Sequence, residues 1–216
     1  GKEGMIVIAN PNAPTGLALS KDEIEEILKN ARSAIVIIDE AYVDFGAESA
    51  ADLIPKYDNL IVVGTFSKSR SMAGIRIGYA LGQKSLISDL HRIKYSFNPY
   101  SLDGLAVLAG KASVEDREYF ESTTKMVIKT RENFMKELKT LGFEVFDSKA
   151  NFVFTKNDII SGEELYKELR RNNILVRYFD EDVLRDYVRI SIGSDENMEY
   201  TTNVLRGIIG NRGKHE

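Results

Sequence analysis

The chain has 216 residues, of which 43% are hydrophobic, and its 29 basic and 33 acidic residues give a formal net charge of −4. This composition supports a globular core, and its slightly acidic balance gives no indication of a nucleic-acid surface or a polybasic membrane anchor. The absence of cysteine excludes a disulfide framework and a thiolate metal site. No apolar run reaches membrane-spanning length and the first residues lack a signal-peptide layout, so we expect a cytoplasmic protein that acts on small molecules.

The first hundred residues alternate short apolar runs with helical patterns. The apolar runs lie at residues 5–9, 34–38 and 60–63. They are continuous and rich in Ile and Val, which predicts strands buried on both faces of a parallel sheet.

Between the first two runs, Ser20 and Glu23 form a capping box ahead of an apolar stripe that contains Ile24 and Leu28. This pattern predicts a helix and therefore a β-α-β unit. A second crossover at 49–57 is weaker, because Pro55 ends or distorts any helix there.

After residue 100 the pattern changes to that of a small α+β domain. An amphipathic helix is predicted over 113–141, and Gly142 ends it. Further strands are predicted at 143–146, 151–155, 174–178 and 187–191, and helices at 163–172 and 196–209, with serine caps at Ser161 and Ser194. Residues 211–216 are expected to be a frayed tail.

The predicted architecture is therefore α/β in its first part and α+β in its second. Residues 1–100 are assigned to the larger domain with a mostly parallel sheet, and residues 101–216 to the small domain.

Polar segments follow all three strands predicted in the first domain. They are NPNAPTG at 10–16, DEAYVDF at 39–45 and TFSKSRSMAG at 65–74. Ligands of open parallel sheets bind beyond the carboxyl ends of the strands, so one pocket can collect side chains from all three segments. Asn12 offers an amide and Asp39 a carboxylate at this edge.

The residue types in these segments suit one cofactor. Partial desolvation of Lys68 favours the neutral amine, which attacks a carbonyl carbon to form an imine. Ser67 and Arg76 suit the oxygens of a phosphate. Asp39 suits a protonated pyridine nitrogen, and Tyr42 can donate to a phenolic oxygen. Together these groups predict pyridoxal 5'-phosphate as the cofactor.

Each of these side chains also has an ordinary structural interpretation. A lysine in a serine-rich loop is commonly a solvated charge, Asp39 can cap a helix, and Tyr42 can be a half-buried aromatic residue. Arg76 can pair with a carboxylate. The ordered combination of all four favours the cofactor site.

Metal and histidine chemistry are not expected. The acidic run at 180–182 is interpreted as a solvated loop rather than a metal site. His91 and His215 are the only histidines, and His215 lies in the tail, so Lys68 is the expected base.

Seven segments, in this order, resemble those of the histidinol-phosphate aminotransferases, which are class-II pyridoxal-phosphate aminotransferases of fold type I. The segments are NPNAPTG, DEAYVDF, TFSKSRSMAG, RIGYA, SKANFVF, ILVRYF and VRISIG. The resemblance covers the whole chain. It implies the C-terminal part of the large domain of such an enzyme, followed by its small domain.

The resemblance also implies roles for individual residues. Lys68 would bind the cofactor covalently and move a proton between substrate and cofactor, Asp39 would pair with the ring nitrogen, and Tyr42 would contact the ring hydroxyl. The residues implied for the cofactor phosphate are Thr65, Ser67 and Arg76. The residues implied for substrate are Arg189, at the α-carboxylate, and Arg177, at the substrate's own phosphate. In strands, both arginines can also simply face solvent.

The chain departs from the family pattern in two places. Family members have Asn immediately before PTG, where this chain has Ala13, and Asn12 is the candidate to replace it. Family members also carry an upstream segment that completes the cofactor pocket, so we expect these 216 residues alone to bind the cofactor poorly or not at all. The family's homodimers, with active sites at the subunit interface, imply a homodimer here.

Three functions are compatible with the sequence. The resemblance favours amino-group transfer between histidinol phosphate and 2-oxoglutarate in histidine biosynthesis. A threonine-phosphate decarboxylase or an aromatic aminotransferase of the same family is the first alternative. The second is a noncatalytic sensor, since aminotransferase-like domains also occur fused to DNA-binding modules.

Overall fold

The computed structural model describes residues 3–212, which form two compact units. The first contains residues 3–12 and 18–124, and the second contains 13–17 and 125–212. A domain boundary at residue 100 stays a prediction. His215 and residues 213–216 of the expected tail lie outside the described residues, whereas Asn211 and Arg212 are helical.

The sheet of the first unit contains the three predicted strands and one more. The strands are β1 (Gly4–Ala9), β2 (Ala34–Asp39), β3 (Leu60–Thr65) and β4 (Gly78–Gly82). Their order in the sheet is β1-β2-β3-β4, with β1, β2 and β3 parallel and β4 antiparallel to β3. The mostly parallel sheet is thus confirmed, while the sequence did not indicate β4, whose GYALG segment has too few apolar residues for a clear pattern.

One face of this sheet packs on helix α1 (Lys21–Asn30). The predicted capping box is present, because Ser20 Oγ accepts a hydrogen bond from the Glu23 amide and the Glu23 carboxylate accepts one from the Ser20 amide. Ile24 and Leu28 are fully buried against the sheet.

The prediction that all three strands are buried on both faces is wrong for β1. Met5 and Val7 are each 63% exposed, whereas Ile6 and Ile8 pack into the core beside α1. Successive side chains of β1 point to opposite faces of the sheet, and in the described part of the chain only the face that carries Ile6 and Ile8 packs on a helix.

Short 3₁₀ segments and longer helices complete the first unit. The 3₁₀ segments are Val43–Phe45, Ala51–Leu53 and Ala73–Ile75, and the helices are α2 (Lys84–Phe97), α3 (Gly104–Glu115) and the start of α4 (Arg117–Thr140). The weak crossover predicted before Pro55 is therefore only a 3₁₀ turn. The single helix predicted from residue 113 is wrong at its start, because Asp116 separates two helices and its carboxylate accepts from the Tyr119 amide at 3.1 Å.

The second unit is an antiparallel sheet with helices. Its strands are β5 (Glu144–Val145), β6 (Phe152–Lys156), β7 (Arg177–Tyr178) and β8 (Val188–Ser191), and its further helices are α5 (Gly162–Arg171) and α6 (Asp195–Arg212). The strand order is β5-β6-β8-β7. The predicted caps are present, since Ser161 and Ser194 accept hydrogen bonds from the Glu164 and Asn197 amides.

The core of the second unit lies between this sheet and the helices α4, α5 and α6. Gly142 follows α4 with φ +81°, the left-handed conformation that glycine adopts at little cost. Within residues 3–212, no helix is long and apolar enough to cross a membrane.

Candidate active site

The parallel strands of the first unit bring the predicted cofactor-binding segments to one edge of the sheet. Ala9 pairs with Asp39, and Asp39 pairs with Val63, so the three strands end side by side. The Asn10 amide donates to Asp39 O at 2.8 Å, and the Glu40 amide donates to Val63 O at 2.8 Å. These bonds continue the ladder one residue past each strand and fix where the segments leave the sheet.

Asp39, Tyr42 and Lys68 lie on two neighbouring segments of this edge. Asp39 is half-buried, and its Oδ1 accepts from the Ala41 amide at 3.0 Å. Lys68 Nζ lies 5.2 Å from the centroid of the Tyr42 ring. The strand order therefore places the candidate nucleophile beside the loop that carries the candidate ring-binding residues.

The expectation that Lys68 is partly desolvated is wrong for the described chain. Its side chain is exposed, because it extends from a turn beyond the end of β3 rather than from the sheet itself. The turn is closed by two backbone hydrogen bonds, from Ser71 N to Lys68 O at 3.1 Å and from Met72 N to Phe66 O at 3.0 Å.

Two hydroxyls next to Lys68 form a small polar cluster. Thr65 Oγ1 lies 2.9 Å from Ser67 Oγ and 3.2 Å from Ile77 O, and it accepts from the Ser67 amide at 3.1 Å. The two hydroxyls are half-buried and close enough together to contact one phosphate group.

Arg76 follows the same loop but is exposed. It adopts a left-handed backbone with φ 62°, and its Nη1 donates to Ala73 O at 2.8 Å. Left-handed backbone in a non-glycine residue is uncommon and is often found at functional sites. A role of Arg76 at the cofactor phosphate stays a prediction.

Asn12 is half-buried two residues beyond Asn10. Its contact with the cofactor ring stays a prediction. The peptide bonds Asn10–Pro11 and Ala13–Pro14 are both cis.

Sequence reasoning missed the residue that holds this first loop. Asn10 is only 1% exposed, and its Oδ1 accepts from the Leu19 amide at 2.7 Å while its Nδ2 donates to Leu19 O at 3.2 Å. The amide therefore closes the two ends of the NPNAPTG loop together. An asparagine between a strand and a proline is the signal that could have indicated this role.

Glu40, next to Asp39, was also missed. Its side chain is 4% exposed, and its carboxylate accepts hydrogen bonds from Ser49 Oγ at 2.7 Å and from the Ala50 amide at 2.6 Å. Burial raises the pKa of Glu40, although the two hydrogen bonds oppose the shift. Glu40 thus fixes the loop that follows the candidate cofactor segment.

The raised pKa of Glu40 predicts a pH dependence of stability. The fold favours protonated Glu40, so this group's stabilising contribution is complete below the ordinary value of 4.5 and is lost as pH rises through the folded-state pKa. In Glu40→Gln the side chain is uncharged at every pH, and its amide oxygen can still accept a hydrogen bond from the Ala50 amide. We therefore expect its free energy of unfolding, relative to the unsubstituted protein, to increase as pH rises above 4.5. Urea unfolding at a series of pH values measures this difference, with exposed Glu26→Gln as the control; a difference that does not change with pH would contradict the prediction.

The two candidate substrate-binding arginines belong to the second unit. Arg177 in β7 and Arg189 in β8 are cross-strand partners, so their side chains lie on the same face of the sheet. Both guanidinium carbons are near the Phe179 ring, at 5.3 Å and 5.9 Å from its centroid. Arg189 also lies 4.9 Å from the centroid of Phe152.

Arg189 has an unused hydrogen-bond donor. Its Nε is buried and has no hydrogen-bond partner among the described residues. Two like charges directly opposite each other on a sheet are destabilising, and a buried N–H without a partner costs free energy. Both features are typical of a site whose anion is supplied by a ligand.

The structure thus brings Asp39, Tyr42, Thr65, Ser67 and Lys68 to one edge of the first unit's sheet. It brings Arg177 and Arg189 together on one face of the sheet in the second unit. Across residues 3–212, there is no cluster of three or more carboxylates or imidazoles that is suited to a metal ion.

The chain belongs to the aminotransferase class I and II family, whose model matches residues 1–205. The predicted α/β fold of fold type I is confirmed.

Among its relatives, the histidinol-phosphate aminotransferase of Brachyspira hyodysenteriae is 53% identical over 207 residues. That match covers 95% of this chain and 58% of the relative. The chain therefore spans somewhat more than half the length of this relative.

Solved structures show the same similarity. The histidinol-phosphate aminotransferase of Clostridium acetobutylicum is 30% identical with a TM-score of 0.88, over 96% of this chain and 64% of that one. The enzyme of the same name from Sinorhizobium meliloti, solved in complex with pyridoxal-5'-phosphate, is 23% identical with a TM-score of 0.84. That match covers 96% of this chain and 57% of the Sinorhizobium meliloti chain. At 23% identity, the similarity concerns the fold alone.

Proposed function

We propose that this chain is part of a pyridoxal-phosphate-dependent aminotransferase that acts on histidinol phosphate and 2-oxoglutarate in histidine biosynthesis. The observation that carries the proposal is the 53% identity, over 95% of the chain, to an enzyme of that name. The arrangement of Asp39, Tyr42 and Lys68 at one sheet edge supports it.

The residues at this edge fit pyridoxal 5'-phosphate. Asp39 is half-buried and its Oδ1 accepts from the Ala41 amide, and a carboxylate has further acceptor capacity with which to bind a protonated ring nitrogen. The hydroxyls of Thr65 and Ser67, 2.9 Å apart, suit phosphate oxygens. When bound, the cofactor supplies an electron sink for the bond that breaks at the substrate's α-carbon.

The chain's own side chains would then orient the reactants and move the proton. Lys68 Nζ is on a flexible stem beside the Tyr42 ring. There it could take a proton from the substrate's α-carbon and deliver that proton to the cofactor. The Asp39 carboxylate would accept a hydrogen bond from the protonated ring nitrogen and so hold the ring in place. Tyr42 would orient the ring through its hydroxyl, and Thr65 and Ser67 would fix the phosphate end.

The arginine pair supports a substrate with more than one anionic group. Arg189, with its unused Nε donor, is proposed to bind one anionic group, and Arg177 to bind a second. The two carboxylates of 2-oxoglutarate meet this requirement in one half-reaction, and in the other the single phosphate of histidinol phosphate would bind to Arg177.

Replacement of Arg189 by glutamine is expected to weaken substrate binding strongly. A hydrogen bond to a charged group contributes about 1.5–3 kcal/mol, which corresponds to a roughly ten- to hundred-fold rise in KM. Steady-state kinetics with both substrates measures this change. Arg170→Gln, at an exposed position of α5 in the same unit, is the control and should leave KM within about two-fold. An unchanged KM for both substrates in Arg189→Gln would exclude the proposed contact.

The test of the function is an assay of the purified product of the complete gene. Glutamate formation from histidinol phosphate and 2-oxoglutarate, dependent on added pyridoxal 5'-phosphate, is the expected result. Release of carbon dioxide from threonine phosphate without amino transfer would favour the decarboxylase instead. Absence of both reactions with a stably folded protein would contradict the proposal. The 216-residue chain assayed in parallel tests whether it binds the cofactor poorly by itself.

The homodimer and the cytoplasmic location belong to the same proposal. Exposed apolar side chains along α2 and α3, among them Phe97, Leu105 and Leu108, provide a surface of the kind that protein interfaces cover. Light scattering on the complete gene product measures the oligomeric state.

A further inference from the structure

The two residues that follow Lys68 are both held by side-chain contacts. Ser69 is 8% exposed, and its Oγ lies 2.5 Å from Asp44 Oδ2. The guanidinium of Arg70 donates to Ser113 O and lies 4.0 Å from the centroid of the Phe120 ring. The exposed lysine therefore extends from a backbone that is anchored immediately after it.

The Ser69–Asp44 contact joins two different segments of the candidate site. Asp44 lies in the 3₁₀ segment that starts directly after Tyr42, whereas Ser69 follows Lys68. The two residues are 25 positions apart in the chain. The bond thus ties the segment at the end of β2, which carries Asp39 and Tyr42, to the loop after β3, which carries the lysine.

The chemistry of this bond makes it a strong tether. A hydroxyl that donates to a carboxylate forms a charge-assisted hydrogen bond, which is shorter and stronger than a neutral one. Because Ser69 is buried, loss of Asp44 would leave its hydroxyl without this acceptor in a place that water reaches poorly. Neither residue needs to touch the cofactor for this effect.

We propose that Ser69 and Asp44 form a positioning pair that holds the backbone at Lys68 against the segment that carries Asp39 and Tyr42, so that Nζ lies within reach of the Tyr42 ring. The inference rests on the proposed function, and it deepens that function by naming the contact that positions the backbone of a solvent-exposed lysine. Reaction rates depend steeply on the placement of the reacting atoms, so a shift of about 1 Å in the loop is enough to slow attack on a carbonyl.

The experiment uses the product of the complete gene and four variants: Ser69→Ala, Asp44→Ala, Asp44→Asn and the double variant Ser69→Ala with Asp44→Ala. Pyridoxal 5'-phosphate is added to the cofactor-free protein, samples are reduced with borohydride at increasing times, and peptide masses give the rate of label incorporation at Lys68. Hydrogen exchange at the Ser71 and Met72 amides reports the order of the turn independently of the cofactor. Ser85→Ala, at an exposed position of α2 in the same unit, is the control.

We expect Ser69→Ala and Asp44→Ala each to slow incorporation at Lys68 about ten-fold and to accelerate exchange at both amides. The double variant should be no slower than either single variant, because the two side chains act through one bond. Asp44→Asn should recover most of the rate, since its side-chain oxygen can still accept from Ser69.

Three results would overturn the inference, and they are distinguishable. Normal labelling of Lys68 at an unchanged rate in both alanine variants would exclude the positioning role while leaving the proposed function intact. Unchanged hydrogen exchange in Ser69→Ala would exclude the tether. Absence of label at Lys68 in the unsubstituted protein would overturn the proposed function, and the positioning role with it.

Discussion

Replacement of Lys68 by arginine is expected to abolish covalent attachment of pyridoxal 5'-phosphate and to reduce transamination by about 10³-fold or more. Arginine keeps a positive charge beside the Tyr42 ring, where Lys68 Nζ now lies at 5.2 Å. It does not lose its proton, so it provides neither a nucleophile nor a base. The substitution therefore separates the chemistry of the amine from its charge.

Borohydride reduction followed by peptide mass analysis, together with kcat/KM, measures this effect on the product of the complete gene. The matched control is Lys56→Arg, since Lys56 is an exposed lysine of the same unit that pairs with Glu25 at 3.7 Å. Lys56→Arg should retain label and rate. Stoichiometric label on another lysine of Lys68→Arg, or a retained rate, would show that Lys68 is not the attachment site.

Asp39→Asn is expected to lower kcat/KM by about 10²–10³-fold, the usual effect of losing one electrostatic group that stabilises developing charge. Asparagine keeps an oxygen that can accept from the Ala41 amide, now 3.0 Å from Asp39 Oδ1, so the loop should stay in place. The substitution would remove the negative charge that is proposed to lie opposite the ring nitrogen, and with it the group that favours protonation of that nitrogen.

The visible absorption of the bound cofactor, titrated with pH, measures the change directly, and kcat/KM measures its consequence. Asp52→Asn is the control, because Asp52 is an exposed aspartate of the same unit whose salt bridge with Lys21 is 2.8 Å long. Surface salt bridges contribute little to stability, so the kcat/KM of Asp52→Asn should stay within about two-fold of that of the unsubstituted protein. An absorption titration of Asp39→Asn identical to that of the unsubstituted protein would show that Asp39 does not contact the ring.

The strands and the helix caps were predictable because their sequence signals are local. The apolar runs that became β1, β2 and β3 need no knowledge of distant residues, and the Ser20–Glu23 capping box is complete within four positions. The break between α3 and α4 was not predictable from periodicity alone. Residues 115–118 are all charged and no proline or glycine interrupts them, and it is the hydrogen bond that the Asp116 side chain accepts from the Tyr119 amide that shows where the second helix begins.

The candidate site was predictable to the same degree. Residues 39, 42, 65, 67 and 68 stand next to strand ends, so a parallel sheet is enough to predict that they meet. The exposure of Lys68 was not predictable, because it depends on how the chain turns after β3 and on what covers that turn. The burial of the Glu40 carboxylate was not predictable either, since its hydrogen-bond partners, Ser49 and Ala50, lie in a loop without a regular sequence pattern.

The sequence by itself determined the class of fold, the family and the residue types available for chemistry, because these depend on local patterns and on an ordered set of short segments. Only the tertiary structure decided which side chains face each other. The contact of Ser69 with Asp44 spans 25 positions, and the pairing of Arg177 with Arg189 depends on strand register. A one-residue shift in that register would move an arginine to the other face of the sheet, and no local pattern in the chain encodes the distance between two such groups.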